Sequence, residues 1–404
     1  MDKEYIIETQ QSVTLNVTAG RIDSFREIEK TTGTVRVYDN GCIGVAGCLG
    51  QPDEEELTKK ASDALAFWIP YPRKLEGALE IEEIHDEEII PIPDFIPVMQ
   101  SFLDRVGELC PRFALSNKIS LTHNRTEYRN SLGRHLISDC RNLSIELIAQ
   151  NRGSGNLFDT GLFWAGSRFD EDKVLAEFKR EYDAFYTPAD LEPGRYPVVI
   201  GAEVLLYPYL RHFVGDLYAA GASLMSGKLG EKLFCDKLTV RMDMNPETDH
   251  GCFFDAEGCV APDYRPALIE NGVLKGLLTT KKTADAYGLP NLGTASAAYD
   301  GVPDIGVRSI YPDKTASSLK ELVPGKSILV LVASGGDATP DGHFASPVQM
   351  AYLMEDGELA GRLPDLSISG DFFDLLGKDY IGTVHDVPFE GTILSAFEMN
   401  VEKA

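Results

Sequence analysis

The sequence predicts an α+β protein with two domains: residues 1–190 form a mixed domain of antiparallel strands and helices, and residues 191–404 form a mostly antiparallel, β-rich domain. Three observations support this class. Residues 12–48 alternate between apolar and polar side chains, which is the period of a half-buried strand. Amphipathic helical segments interrupt the strands of the first half. From the proline-rich segment 188–197 onward, the chain is rich in glycine and in short strand patterns.

The first elements are antiparallel strands followed by a helix. Val13, Leu15 and Val17 share one face of a strand, and Asn40-Gly41 is a strong hairpin signal. The acidic run 53–56 then opens a helix that continues to about residue 68. Acidic side chains are favoured in a first helical turn by the helix dipole, so we interpret this run as a solvated helix start; a cation site is the alternative.

The rest of the first half predicts a second set of helices and strands. Residues 70–94, which are rich in proline and acid, are interpreted as a bridge. The remaining elements are two helices, at 94–110 and 171–185, and two strands, around 119–121 and 143–147. The recurring order of strands and helices suggests a loose duplication, with subsegments 1–90 and 91–190.

The second half contains mainly short strands. A helix-like segment covers 203–213, and the turn dipeptides Asn271-Gly272 and Asp356-Gly357 separate strand patterns. The predicted strands lie near 196–200, 238–240, 267–269, 274–278, 328–332 and 349–353.

Composition excludes several classes of function. The net charge is −25 and no run of Lys or Arg offsets it, so we expect no binding to duplex DNA. The longest apolar stretch, 328–333, is far shorter than the ~20 residues that span a bilayer. No signal peptide is visible. The chain has seven cysteines, an odd number, which predicts reduced thiols and a cytoplasmic location.

No compact catalytic or metal-binding motif is present. The sequence has no nucleophile elbow, phosphate-binding loop or dinucleotide fingerprint, and its histidines are isolated. Asp255 and Glu257 could be an acid/base pair, or Asp255 could cap a turn that Glu257-Gly258 shapes. The flanking Cys252 and Cys259 are interpreted as buried thiols. Lys228, beside several glycines, could hold an anion or be solvated.

The region 201–299 resembles the TldD/PmbA family, once described as modulators of DNA gyrase. The resemblance rests on S-G-K-x-G-E at 226–231, F-D-x-E-G at 254–258 and E-x-G-x-L-K-G-x-L at 270–278. A closing segment at 357–376 is also similar. The resemblance is specific in the second half and loose before residue 190, where the helix that the family usually has before its first strand is absent.

The family resemblance implies a metalloprotease in which one kind of subunit carries zinc. That subunit holds zinc through H-E-x-x-x-H and a distant Cys, whereas the PmbA/TldE kind lacks these residues. Counting from the matching motifs places Leu206, Tyr207 and Arg211 on the first His, the Glu and the second His, and Leu376 on the Cys. Leucine has no donor atom, and a guanidinium repels a cation. We therefore expect no catalytic residue, metal or cofactor in this chain, and zinc in a partner subunit.

The expected function is a zinc-free subunit of a cytoplasmic metalloprotease that degrades unfolded peptides. Tyr207 and Arg211 are the candidate substrate-binding residues; alternatively, Arg211 forms a salt bridge that fills the vacated pocket. The partner is either a zinc-bearing TldD-type subunit or a second copy. The competing hypothesis is a stand-alone homodimer that binds peptides or regulates another protein, such as gyrase.

Overall fold

The structure, a computed structural model, describes residues 1–156, 158–247, 251–307, 309–333, 336–385 and 393–403. Strands dominate both halves. The strands are β1 Asp2–Thr18, β2 Arg21–Asp39, β3 Cys42–Leu49, β4 Ile69–Pro70, β5 Leu79–His85, β6 Phe113–Asn130, β7 Arg134–Asn151, β8 Thr160–Gly166, β9 Gly194–Gly201, β10 Val240–Met242, β11 Ala267–Glu270, β12 Val273–Leu274, β13 Ala295–Ser296, β14 Asp304–Ile305, β15 Ile310–Pro312, β16 Lys326–Ala333, β17 Asp337–Ala338, β18 His343–Glu355, β19 Glu358–Arg362, β20 Leu366–Asp371, β21 Tyr380–Val384 and β22 Leu394–Lys403.

Helices are fewer than strands in the described residues. They are α1 Glu54–Ala64, α2 Ile92–Leu109, α3 Glu171–Phe185, α4 Ala202–Leu206, α5 Gly215–Ala219, α6 Lys281–Tyr287, α7 Leu319–Leu322 and α8 Phe372–Leu375, with 3₁₀ turns at Leu65–Phe67, Tyr207–Phe213 and Pro262–Tyr264. None of these helices combines the length and the hydropathy that crossing a bilayer requires.

The first sheet contains every strand of the first half, in the order β4-β3-β2-β1-β6-β7-β5, with β8 also on β7. Long strands make it an extended platform, because β1, β2, β6 and β7 each have 17 to 19 residues. Two tight turns fix the register of the β1–β2–β3 meander. Ala19-Gly20 and Asn40-Gly41 all have positive φ, the conformation that two-residue hairpins need.

Three helices cover one face of this sheet. Asp53 caps α1 through hydrogen bonds to the backbone N–H groups of Glu55 and Glu56, as the acidic run at 53–56 predicts. The buried stripe of α2, including Phe95, Met99 and Phe102, packs on Val13, Leu15 and Val17 of β1 with α3 beside it.

The second sheet also contributes to this core. Its path is β16-β9-β22-β20-β18-β17, with β19 on β18 and β21 on β22. Val199, Leu329 and Tyr352 from this sheet lie in the same hydrophobic cluster as the buried face of α3. The Tyr352 hydroxyl also donates to the Glu181 carbonyl, 3.3 Å away. Helix α3 therefore lies between the two sheets.

The structure confirms the α+β class and corrects four local predictions. Residues 70–94 are not only a bridge, because β5 lies within them and pairs with β7 in parallel. Its Leu79 and Ile81 alternate with glutamates, a pattern that the surrounding acids and prolines obscure. Helix α4 changes to 3₁₀ at Tyr207, just before Pro208, so 203–213 is not one continuous helix. The strand predicted at 274–278 ends at Leu274. The first strand begins at Asp2, well before residue 12.

Candidate functional site

The segment that aligns with the family's zinc motif is a surface turn with two faces. Tyr207 is 50% exposed and Arg211 is exposed, so both point away from the core. Leu206, Tyr209 and Phe213 are buried on the other face. The Tyr209 hydroxyl donates to the Gly342 carbonyl at 2.9 Å, which fixes this turn against the second sheet.

Leucines occupy the two buried positions where the family resemblance places zinc ligands. Leu206 and Leu376 are 3% and 1% exposed, and both belong to one hydrophobic cluster. Phe372 and Leu375 lie in the same cluster, immediately before Leu376 in the chain. Zinc requires nitrogen, sulfur or carboxylate donors, so the residues at these positions do not fit the metal.

Among the residues that the structure describes, Arg211 forms no salt bridge, because no carboxylate lies within ion-pair distance of its guanidinium. The adjacent His212 is buried, and burial together with the charge of Arg211 lowers the pKa of its imidazole. The backbone N–H of Leu224 donates to Nδ1 of His212 at 3.2 Å. The interior next to this turn is therefore occupied by a neutral ring and apolar side chains.

Lys228 has neighbours that explain its position without an anion. Its Nζ donates to the Leu224 carbonyl at 3.0 Å and lies 4.8 Å from the centre of the Phe373 ring. The side chain therefore closes its own loop and packs on an aromatic face.

A second group of polar side chains lies between the two halves of the chain. Asp255, Glu257 and Cys259 are buried, and their ligand atoms lie within 4.8 Å of one another. Asp255 Oδ1 accepts the N–H groups of Glu257 and Cys259 at 2.8 and 2.9 Å. The prediction that Asp255 caps this turn is confirmed. Gly258 has φ of +69°, and a Cβ there would lie 2.4 Å from the Tyr128 ring, so only glycine fits.

This group does not fit a metal ion. The other oxygen of Asp255 accepts the N–H of Ala295 at 3.0 Å. Glu257 accepts the Tyr71 hydroxyl at 2.7 Å and the Lys281 N–H at 2.9 Å, so its oxygens have partners too. Burial and the charge of Asp255 raise the pKa of Cys259 strongly, which favours the protonated thiol when no cation is bound. The sulfur has a protein partner as well, because Nδ2 of Asn291 donates to Sγ of Cys259 at 3.3 Å.

The first sheet contributes a buried ion pair next to this group. Arg36 and Glu4 are 2% and 0% exposed, and Arg36 Nη1 lies 3.4 Å from Glu4 Oε2. The same Nη1 donates to the Ala256 carbonyl of the second half. The hydroxyls of Tyr38 and Tyr128 each donate to Glu4 at 2.9 Å. A buried polar network therefore joins the two halves next to the hydrophobic contacts.

An open cavity of about 310 Å³ borders this network. It lies between the first sheet and the segments around Phe254 and Ala297. Sequence reasoning missed Arg36 and Glu4 as members of an inter-half network. The sequence did contain one signal, because Arg36 lies between two apolar residues, Val35 and Val37. A charged residue in such a segment can be buried only when it has a partner, so this pattern could have predicted a buried ion pair.

Comparisons with known proteins agree on one family. Residues 193–397 match the profile of the PmbA/TldA metallopeptidase C-terminal domain. A metalloprotease of Archaeoglobus fulgidus is 24% identical over 401 residues, covering 92% of this chain and 89% of that protein. A zinc metalloprotease TldD homolog of Saccharolobus solfataricus is 27% identical over 275 residues, which cover 63% of this chain and 61% of that protein, less than two thirds of its length. The crystal structure of TldE from Thermococcus kodakarensis superposes with a TM-score of 0.83 at 19% identity, covering 100% of this chain and 97% of that one.

Proposed function

Because the chain belongs to the PmbA/TldD metallopeptidase family, we propose that it is a subunit without zinc, which works with a zinc-bearing relative in degrading unfolded peptides in the cytoplasm. In this proposal the partner supplies the metal and the general base. This chain supplies part of the surface that holds the peptide.

The observation that carries the proposal is the apolar packing at positions 206 and 376. Both leucines are nearly inaccessible and contact other hydrophobic side chains of one cluster. Without a metal, no water is activated toward a pKa of ~7, and Tyr207 lacks the carboxylate of a general base. The chain alone is therefore expected to have no peptidase activity.

The exposed Tyr207 and Arg211 are the proposed contacts with substrate. A guanidinium on the surface can bind a carboxylate or carbonyl of a peptide through charge-assisted hydrogen bonds. The aromatic ring of Tyr207, which is half exposed on the same turn, offers apolar area to a peptide.

The test is a peptidase assay on an unstructured peptide with this chain, an intact H-E-x-x-x-H relative from the same cell, and both together. Activity is expected only when the relative is present, with a rate gain on adding this chain. Arg211→Ala should then cost ~1.5–3 kcal/mol of substrate binding, seen as a raised KM with kcat retained.

Arg152→Ala is the matched control, because Arg152 is also an exposed arginine. Chelator-sensitive cleavage by this chain alone would overturn the proposal. If no intact relative gains activity from it, the stand-alone peptide-binding or regulatory homodimer is favoured instead.

A further inference from the structure

Strand β2 leaves part of its outer side without a partner strand. Strand β3 pairs with β2 only from Thr32 to Asp39, whereas β1 pairs with it along its whole length. In the described part of the chain, the outer side of residues 23–30 has no neighbouring strand. We call residues 23–30 the outer edge. Its two ends are closed, because Ile22 N–H donates to Gln100 and the Thr31 carbonyl accepts from Gly50.

The hydrogen bond to Thr31 fixes which backbone groups face outward. Backbone groups of a strand alternate between its two sides with a period of two. Because the Thr31 carbonyl points outward, the N–H and C=O groups of Glu29, Glu27 and Phe25 point outward as well. The outer edge thus presents donors and acceptors that an added extended chain can pair with.

The side chains of these same residues lie on the face that α2 covers. Phe25, Glu27 and Glu29 are opposite Leu15, Val13 and Gln11 of β1 in the register. Phe25 is 59% exposed although it is a large apolar side chain.

Helix α2 extends this surface. Ile92 and Ile96 at its start are 46% and 38% exposed. Ile96 lies one turn before Gln100, whose side chain hydrogen-bonds the backbone of Ile22 and Gly20. Ile92 lines a cavity of about 180 Å³ together with Glu27 and Glu29, and His123 and Arg141 also line it. The outer edge is therefore flanked by an apolar patch that includes two acidic side chains. Charged residues on an exposed edge often serve only to prevent strand pairing, but that role does not explain why large apolar side chains are exposed beside them.

A second copy of this chain does not suit the outer edge. Two copies related by a two-fold axis pair antiparallel, so that one residue of the edge lies opposite itself. A centre at Phe25 places Asp23 opposite Glu27, and a centre at Ile28 places Glu27 opposite Glu29. Centres at 23, 26, 27, 29 and 30 place a charged residue directly opposite its own copy, and a centre at Ser24 places the charged Asp23 opposite the apolar Phe25. Like charges in directly opposite positions are destabilising.

We infer that the outer edge of β2 binds an extended segment of a different polypeptide, with basic side chains opposite Glu27 and Glu29 and an apolar side chain opposite Phe25. The opposite face of the edge carries Arg26 and Lys30, so acidic side chains of the partner fit there. This inference goes beyond the proposed function and does not depend on zinc or on a peptidase partner.

The experiment uses two labelled peptides of identical composition and the full chain alone. The first, Glu-Lys-Thr-Lys-Glu-Phe, matches the edge in antiparallel pairing, and the second, Lys-Glu-Thr-Glu-Lys-Phe, exchanges the charges. The first is expected to bind about tenfold more tightly, since several cross-strand charge pairs change sign between the two peptides. Equal binding of both, or binding of neither, overturns the inference.

Two variants locate the site. Glu27→Lys with Glu29→Lys should abolish the preference between the peptides, because each peptide then has two attractive and two repulsive charge pairs. Glu358→Lys with Glu402→Lys, which changes the net charge equally at exposed positions elsewhere, should leave the preference intact. Glu27→Pro removes an outward N–H without breaking the β1–β2 ladder, so it should weaken binding about tenfold. Unchanged binding by folded Glu27→Pro contradicts backbone pairing; if Glu27→Pro fails to fold, the lysine variants decide. Because no zinc-bearing relative is present, failure here is separate from failure of the peptidase assay.

Discussion

Replacing Arg36 with methionine should destabilise the chain far more than its single weak salt bridge suggests. The guanidinium is buried, its Nη1 lies 3.4 Å from Glu4, and its Nε has no partner among the described residues. Removing it takes from the buried Glu4 carboxylate the one cation that lies within ion-pair distance among the described residues, and leaves only the more distant charge of Lys281. Breaking such a buried pair costs ~3–5 kcal/mol. Because the hydroxyls of Tyr38 and Tyr128 still donate to Glu4, we expect a loss near ~3 kcal/mol.

The double variant Arg36→Met with Glu4→Gln separates the pair from its surroundings. Glutamine keeps an acceptor oxygen for one of the two tyrosine hydroxyls, and its amide N–H group can donate to the oxygen of the other. Methionine fills the volume without an unpartnered Nε. We therefore expect the double variant to be more stable than Arg36→Met alone, with a non-additivity of at least ~2 kcal/mol between the two positions.

Urea unfolding followed by far-UV circular dichroism measures both quantities. The free energies of unfolding of wild type, the two single variants and the double variant complete the cycle. Additive effects, or a loss below ~1 kcal/mol for Arg36→Met, would refute the view that an uncompensated buried charge dominates at this interface.

Two further predictions concern pH and metal content. Burial raises the pKa of Glu181 from its ordinary value of 4.5 to about 7. Between these values the folded chain holds a proton at Glu181 that the unfolded chain releases, so stability should fall as pH rises from 4.5 to about 7. Burial raises the pKa of Glu257 to about 7 as well, so Glu181→Gln should make this slope shallower in urea titrations without removing it; an unchanged slope contradicts the assignment. Metal analysis after dialysis against a mild chelator should find well below one zinc per chain, and about one tightly held zinc would overturn the ligand-loss argument.

Elements with a local cause could be predicted from the sequence. The hairpin at Asn40-Gly41 and the cap at Asp53 follow from the backbone preference or side-chain chemistry of one or two residues. The stripe of α2 follows from helical spacing. These features hold whatever the rest of the chain does.

Features that depend on distant partners could not be predicted in the same way. Strand β5 forms because β7 is available beside it, and its glutamates gave the segment the composition of a loop. Arg36 is buried because Glu4 and Ala256 reach it from elsewhere in the chain. The exposure of Arg211 also depends on leucines that fill the adjacent interior. None of these pairings leaves a signal at fixed spacing in the sequence.

The position of α3 between the two sheets has a consequence for biosynthesis. Phe178 and Tyr182 on this helix share a core with Leu329, Tyr352 and residues of β22. During translation the first half of the chain leaves the ribosome well before these strands are synthesised. The nascent first half therefore exposes an apolar face until the strands of the second sheet emerge. During this period a chaperone can bind the exposed face. Loss of β22 should accordingly destabilise the amino-terminal sheet, although no residue of β22 belongs to that sheet.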